Sequence, residues 1–124
     1  MAFLNRDGLL KKQALKVEKV ELDNEEHVFI KQMSGKARDR FEQSLSKIVK
    51  KKDGSTEYER LLDDFRAKLA CCTLCDEDGS LLLTMDDAPL LSENMSAARL
   101  ELIVNKAQEM NKISQEDKEN LTKN

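Results

Sequence analysis

Two short runs near the start of the chain alternate between apolar and charged residues. The first, LKVEKVEL, covers residues 15–22, and the second, HVFIKQM, covers residues 27–33, with the polar turn DNEE between them. Alternation with a period of two, together with β-branched and aromatic residues, is typical of β-strands. We therefore predict a small N-terminal β-hairpin over residues 15–33. Residues 1–14 have no sustained apolar stripe, so we expect an N-terminal segment that is only partly ordered.

After the hairpin, the apolar residues recur at the spacing of an amphipathic helix. Ser34 is suited to cap this helix at its N-terminus, and Gly35 gives the backbone freedom to turn there. Lysines at positions 47 and 50–52 fall in the predicted last turn, where cations complement the helix dipole. The pattern predicts a first helix from residue 36 to about residue 52, with a stripe formed by Phe41, Leu45, Ile48 and Val49.

A second helical stripe follows the polar sequence DGST. Thr56 is the predicted cap of this helix, which extends to about residue 75 and ends at DEDG, where Gly79 permits a turn. Residues 80–83 are then a short extended segment. The apolar residues of the stripe are Tyr58, Leu61, Leu62, Phe65, Leu69 and Cys72.

The last third of the chain has the strongest helical periodicity. Thr84 or Asp87 can cap a short helix, and Asp87 is the better choice because Pro89 then lies in the first turn. The longest helix is predicted over residues 92–112, and residues 114–124 should form a short terminal helix or a frayed tail. The main stripe of the longest helix is Leu100, Ile103, Val104, Ala107 and Met110, which Met95, Ala98 and Leu102 widen toward an adjacent face.

These patterns predict a mainly α-helical fold. A small N-terminal β-hairpin is followed by three to five helices in one compact domain over residues 15–113. The length of 124 residues suits a single domain. The 21 basic residues nearly balance the 24 acidic ones, and without a basic excess we expect no nucleic-acid partner. With no signal peptide and no apolar run of about 18 residues, we expect a soluble intracellular protein without a membrane partner.

The three cysteines and the single histidine are the residues most suggestive of chemistry. Cys71, Cys72 and Cys75 provide one CxxC pair, which is half of a zinc site, and His27 stands alone. The pair lies at a predicted helix C-terminus before DED, and both features disfavour a thiolate. The better interpretation is that the thiols pack as small apolar groups. We therefore predict no catalytic residue, no metal site and no cofactor, and hence a protein that is not an enzyme.

Three motifs occur in a fixed order along the chain. The first runs from a strand through Ser-Gly into a helix and comprises Val28, Ile30, Lys31, Met33, Ser34, Gly35, Arg38, Asp39, Phe41 and Glu42. The second leads from a helix into an acidic turn and an apolar run and comprises Leu74, Asp76, Glu77, Asp78, Gly79, Leu81 and Leu83. The third is Asn111, which follows the apolar stripe of the last helix.

In this order the motifs resemble the tail assembly chaperones of long-tailed bacteriophages, of the siphovirus type. The chain departs from that family in having DNEE, and neither a Trp nor a Gly-rich turn, between the predicted strands. The resemblance implies a helical chaperone that binds the tape measure protein and keeps it soluble and extended. It also implies displacement as tail tube protein polymerises, self-association into rings or spirals, and action in the host cytoplasm without retention in the virion.

The residues themselves suggest which positions serve partners and which serve the fold. The hypothesis for contacts with a client or a second subunit is Val28, Ile30, Met95, Leu102 and Met110. The predicted structural residues are Gly35, Phe41, Leu62, Phe65, Cys72 and Gly79. Two alternatives stay open: a small helical adaptor or regulatory protein that binds a folded partner, and a metal- or thiol-dependent enzyme.

Overall fold

The computed structural model describes residues 3–60 and 64–113. Leu62 and the predicted terminal segment 114–124 lie outside these ranges. A single 3₁₀ turn, Met85–Asp87, precedes the fourth helix. The elements in chain order are α1 (Arg6–Leu10), β1 (Val17–Glu21), β2 (His27–Lys31), α2 (Gly35–Gln43), β3 (Ser46–Lys50), β4 (Thr56–Arg60), α3 (Phe65–Thr73), β5 (Leu74–Cys75), α4 (Ala88–Asn94) and α5 (Ala97–Met110).

The predicted N-terminal hairpin is confirmed as two strands of a three-stranded antiparallel sheet. The strand order is β1-β2-β5, and Ile30 is paired with Glu18 on one side and Leu74 on the other. In the DNEE turn, Asn24 and Glu25 both have positive φ, as the two central residues of a type I′ turn require. The turn therefore follows the right-handed twist of the strands that it joins.

A second hairpin replaces the end of the first predicted helix and the start of the second, so both boundaries were wrong. Strands β3 and β4 pair antiparallel from Ser46↔Arg60 to Lys50↔Thr56. Gly54 turns the chain with φ +90°, and the Asp53 carboxylate accepts a hydrogen bond from the Ser55 N–H at 2.9 Å. The Asp-Gly pair is a hairpin signal, and it outweighs an apolar spacing that fits a helix as well as a strand.

The two helices on either side of this hairpin are consequently shorter than predicted. Helix α2 begins as expected, with the Ser34 hydroxyl accepting from the Ala37 N–H at 3.1 Å, but it ends at Gln43. Helix α3 begins at Phe65 after Asp64, whose φ of 60° is left-handed. Thr56 is therefore the first residue of β4 and caps no helix.

The apolar spacing predicts one long helix over residues 92–112, but the structure has two helices, α4 and α5, in this part of the chain. Asp87 holds the predicted position before α4, with Pro89 in the first turn of the helix. The Asp87 side chain makes no capping hydrogen bond to α4, because it accepts from the Thr84 N–H at 2.8 Å in a capping box. The single helix predicted over residues 92–112 is wrong, because Met95 is extended and ends α4. Ser96 then caps α5 by accepting from the Arg99 N–H at 3.2 Å. A serine with a strong capping preference separates the two helices at this point.

The core lies between the three-stranded sheet, α2, α3 and α5. The rings of Phe41 and Phe65 meet edge to face with centroids 5.6 Å apart. A smaller apolar group under α4 consists of Ala67, Cys71 and Ala88. The predicted class, a mainly helical domain that starts with a β-hairpin, is confirmed. The principal core side chains are Ile30, Phe41, Leu45, Phe65, Leu69, Leu74, Leu100, Ile103, Val104 and Ala107.

Candidate interaction surfaces

Helix α5 presents one side to the core and the opposite side to solvent. Its exposed positions recur every three or four residues, so they share one face of the helix. Leu102 lies in the middle of that face and keeps 46% of its surface exposed. The face, called here the outer face of α5, consists of Ala98, Leu102, Asn105 and Glu109.

Charged contacts fix the N-terminal half of α5 to the first hairpin. The Arg99 guanidinium donates to the Asp23 carboxylate at 2.8 Å and to Glu26 at 2.9 Å. The hydrogen bond from Arg99 lowers the pKa of Asp23, so the pair stays ionised well into the acidic range. Lys106 reaches Glu18 of β1 at 3.4 Å in the next turns of the helix.

Hydrogen bonds fix the C-terminal end of α5 to the junction between β2 and α2. The Asn111 side-chain oxygen accepts from the Met33 N–H at 2.6 Å, and its amide donates to the Ala107 carbonyl at 2.9 Å. The Arg38 guanidinium donates to the Asn111 backbone carbonyl at 3.1 Å and to Glu42 at 3.0 Å. The helix is therefore held at both ends, and its outer face is preformed.

Two clefts lie at the ends of α5. The cleft at the N-terminal end has a volume of about 440 Å³, and Met95 lines it together with Leu91 and Arg99. The cleft at the C-terminal end has a volume of about 630 Å³, and Met110 and Met33 belong to its lining. Methionine side chains are flexible and polarizable, so they can adapt to different apolar neighbours.

The five predicted contact residues have very different surroundings. Leu102 is exposed, whereas Val28 and Met95 are partly buried and pack against the core. Ile30 is fully buried, so the contact proposed for it fails because its side chain has no surface for a partner. Met110 is only 8% exposed and belongs mainly to the core. Sequence periodicity marks all five residues as apolar positions, but the packing of the folded chain buries Ile30 and Met110 and leaves Leu102 exposed.

The predicted structural residues are distributed between the core and the turns. Phe41 and Phe65 lie in the core, and Cys72 packs against it from a partly buried position. Gly79 has φ +86°, which favours glycine, and a Cβ there would lie 3.4 Å from Val17. Gly35 is an ordinary first residue of α2, and a Cβ at this position would meet nothing within 4 Å, so no steric need for glycine exists there.

The cysteines are arranged as packing groups. Cys71 lies in α3 but Cys75 lies in β5, because α3 ends at Thr73 and not at about residue 75 as predicted. Burial raises the pKa of both the Cys71 and Cys72 thiols to about 11, which disfavours the reactive thiolate. In residues 3–60 and 64–113, no three His, Cys, Asp or Glu side chains are grouped to hold a metal ion. Every helix in the same ranges is too short or too polar to cross a membrane.

The arrangement of strands and helices has a counterpart among solved structures. The fold is similar to that of the bacteriophage HK97 tail assembly chaperone. The TM-score is 0.57, and the match covers 85% of this chain and 90% of the HK97 chain at 19% sequence identity. No protein-family model matches the chain, and no curated protein matches its sequence. The resemblance predicted from three motifs is thus confirmed at the level of the fold.

The structure explains why those motifs occur together. Met33 and Arg38 of the first motif bind Asn111, which is the third motif. Lys31 of the first motif donates to the Gly79 carbonyl of the second motif at 2.8 Å. The motifs therefore meet at junctions between separate parts of the fold, and these five residues are structural.

Sequence reasoning missed several exposed apolar residues outside α5. Leu81, Leu82 and Leu90 lie on the surface, although they belong to apolar runs that suggest burial. The signal that could have found them was their context, because acidic residues surround them on both sides. In contrast, Leu83 and Leu91, next to them in sequence, pack against the core.

Proposed function

We propose that this protein is a phage tail assembly chaperone. It binds the tape measure protein in the host cytoplasm, keeps it soluble and extended, and leaves as tail tube protein polymerises around the tape. The observation that carries the proposal is the fold similarity to the HK97 tail assembly chaperone over 85% of the chain. The raised thiol pKa values and the chaperone likeness support a role that is not enzymatic.

The outer face of α5 is the proposed client contact. Leu102 offers apolar surface on this face, and Met95 lines the cleft at its N-terminal end. The 14 residues of α5 span about 21 Å at a rise of 1.5 Å per residue. That length accommodates about four turns of a client helix, whose apolar residues repeat every three or four positions. Arg99 and Lys106 lie beside this face and are held by Glu26 and Glu18, so the face need not rearrange on binding.

The contact of each subunit with the client should be weak. Leu102 is already half-buried, and covering the rest contributes about 1 kcal/mol. A long client that engages many subunits multiplies such weak contacts through effective concentration. Weak individual contacts also allow tail tube protein to displace the subunits one after another.

Co-expression with the tape measure protein of the same phage tests the proposal. The wild-type chain should keep the client soluble and should co-purify with it. Leu102→Asp should reduce the co-purified client about tenfold or more, because the change removes apolar contact and buries a charge at the interface. Asn105→Asp is the matched comparison, because it adds the same charge one turn away on the same face without removing apolar surface, and it should therefore reduce the co-purified client less than Leu102→Asp does.

The helical content by circular dichroism should be the same in the wild type and both variants, because both positions are exposed. Met95 is less suitable for this test because it packs against the core, so an aspartate there would also destabilise the fold. If the client stays insoluble with the wild-type chain, the proposed function is wrong. If Leu102→Asp binds the client as well as the wild type does, the client binds elsewhere.

A further inference from the structure

The N-terminal residues form an apolar arm that the rest of its own chain does not cover. Within residues 3–12, called here the arm, the four largest apolar side chains are 58–93% exposed, and α1 buries none of its residues. Three cations (Arg6, Lys11 and Lys12) against one anion (Asp7) make the arm basic. The exposed apolar side chains of the arm are Phe3, Leu4, Leu9 and Leu10.

A second uncovered apolar surface has the opposite charge. Residues 76–93, called here the acidic leucine surface, contain three leucines that are 47–63% exposed, namely Leu81, Leu82 and Leu90. The same residues contain no Lys or Arg. Lys31 reaches the segment from β2 and donates to the Gly79 carbonyl. The six acidic residues are Asp76, Glu77, Asp78, Asp86, Asp87 and Glu93.

The two surfaces match in both respects that matter for binding. Exposed leucines on each side give apolar area to bury on binding. The basic arm and the acidic surface attract each other, which orients the partners and favours this pairing over arm with arm. Among the side chains that the structure describes, which excludes those of residues 46–49 and 57–60, seven of the eight large exposed apolar ones belong to these two surfaces.

We propose that the arm of one copy docks onto the acidic leucine surface of a second copy. The inference rests on the proposed function, in that it names the surfaces through which the chaperone would self-associate. Within one chain both surfaces are left exposed, and because their charges are opposite, each suits the other surface on a second copy. The arm and its docking surface are different patches, and such a head-to-tail contact generates rings if it closes and open spirals if it does not.

Mixing two complementary variants tests this geometry. The arm variant carries Leu9→Glu and Leu10→Glu, and the surface variant carries Leu82→Glu and Leu90→Glu. Wild-type protein should show a sedimentation coefficient that rises with concentration, whereas each variant alone should sediment as a monomer. An equimolar mixture should form dimers and nothing larger, because the arm of the surface variant still fits the surface of the arm variant.

Other outcomes would overturn the inference. If the wild-type chain stays monomeric at all concentrations, the arm does not dock onto a second copy. This result would also be seen if the arm docked onto its own chain, and in both cases the inference is wrong. A variant that assembles like the wild type shows that its mutated surface is not used. A mixture that stays monomeric, although both variants keep their helical content, shows that the two surfaces do not bind each other.

Leu102→Asp separates this inference from the proposed function. Leu102 lies outside the arm and the acidic leucine surface, so this variant should assemble like the wild type while binding the client about tenfold less. Wild-type assemblies that do not bind the client would overturn the proposed function alone. Assembly that disappears in Leu102→Asp would overturn the assignment of self-association to the arm.

Discussion

Replacing Asn111 by alanine should be one of the most destabilising changes of a polar residue in this protein. The side chain accepts from the Met33 N–H at 2.6 Å and donates to the Ala107 carbonyl at 2.9 Å. Each hydrogen bond contributes about 1 kcal/mol, and a partly buried donor that loses its acceptor adds a desolvation cost. The free energy of unfolding should therefore fall by about 2 kcal/mol.

Urea denaturation followed by circular dichroism measures this loss. With a slope of about 2 kcal/mol/M, the midpoint should move about 1 M lower at an unchanged slope. Asn111→Asp keeps the acceptor for Met33 and should lose less. Asn105→Ala is the control, because Asn105 is exposed on the same helix and should change stability by less than about 0.5 kcal/mol. An Asn111→Ala midpoint equal to that of Asn105→Ala would refute the reasoning.

Three further predictions concern backbone conformation and thiol ionisation. Gly35→Ala should raise the free energy of unfolding by about 0.5–1 kcal/mol, seen as a higher thermal midpoint, because α2 gains helix propensity without a clash. Gly79→Ala should lower the free energy of unfolding by about 1 kcal/mol or more, because φ is +86°. The raised pKa of Cys71 and Cys72 means that the folded state retains their protons. The free energy of unfolding should be highest below about pH 9 and should fall as the pH rises from 9 toward 11, because only the unfolded state then loses these protons. Urea denaturation at several pH values measures this fall, which should be smaller in a Cys71→Ala/Cys72→Ala variant.

Features that depend on neighbouring residues were predictable from the sequence. Ser34 caps α2 as expected, because capping is a local property of the side chain. Asp87 holds the predicted position before α4, but its carboxylate accepts from the Thr84 N–H and does not cap the helix. The first hairpin follows directly from alternation. Helical spacing gave a wrong prediction for Ile48 and Val49, which lie in β3 of the second hairpin. The Asp53-Gly54 pair, which favours a hairpin turn, was the better signal. A turn signal should therefore have had more weight than a stripe of four apolar residues.

The candidate surfaces were less predictable because burial is decided by distant parts of the chain. Ile30 and Leu102 are both apolar residues in periodic elements, yet one is fully buried between β1 and β5 and the other faces solvent. The break at Met95 also depends on packing, although Ser96 offered a capping signal. Sequence periodicity identifies the residues available for contacts, and only the tertiary structure distributes them between the core and the surface.

The difference in attachment between α5 and the arm has a consequence for both proposals. Helix α5 is held at each end by Arg99 and Asn111, whereas the arm buries none of its large side chains. A rigid face loses little entropy on binding a client, while a free arm can reach a neighbour whose distance varies. If assembly through the arm multiplies weak client contacts, Leu9→Glu/Leu10→Glu should weaken client binding only when the client is long enough to engage several subunits. A client fragment of about four helical turns should bind this variant and the wild type equally, and Leu102→Asp should bind both the fragment and the full client poorly. Equal weakening of the fragment by the arm variant would show that the arm contacts the client directly.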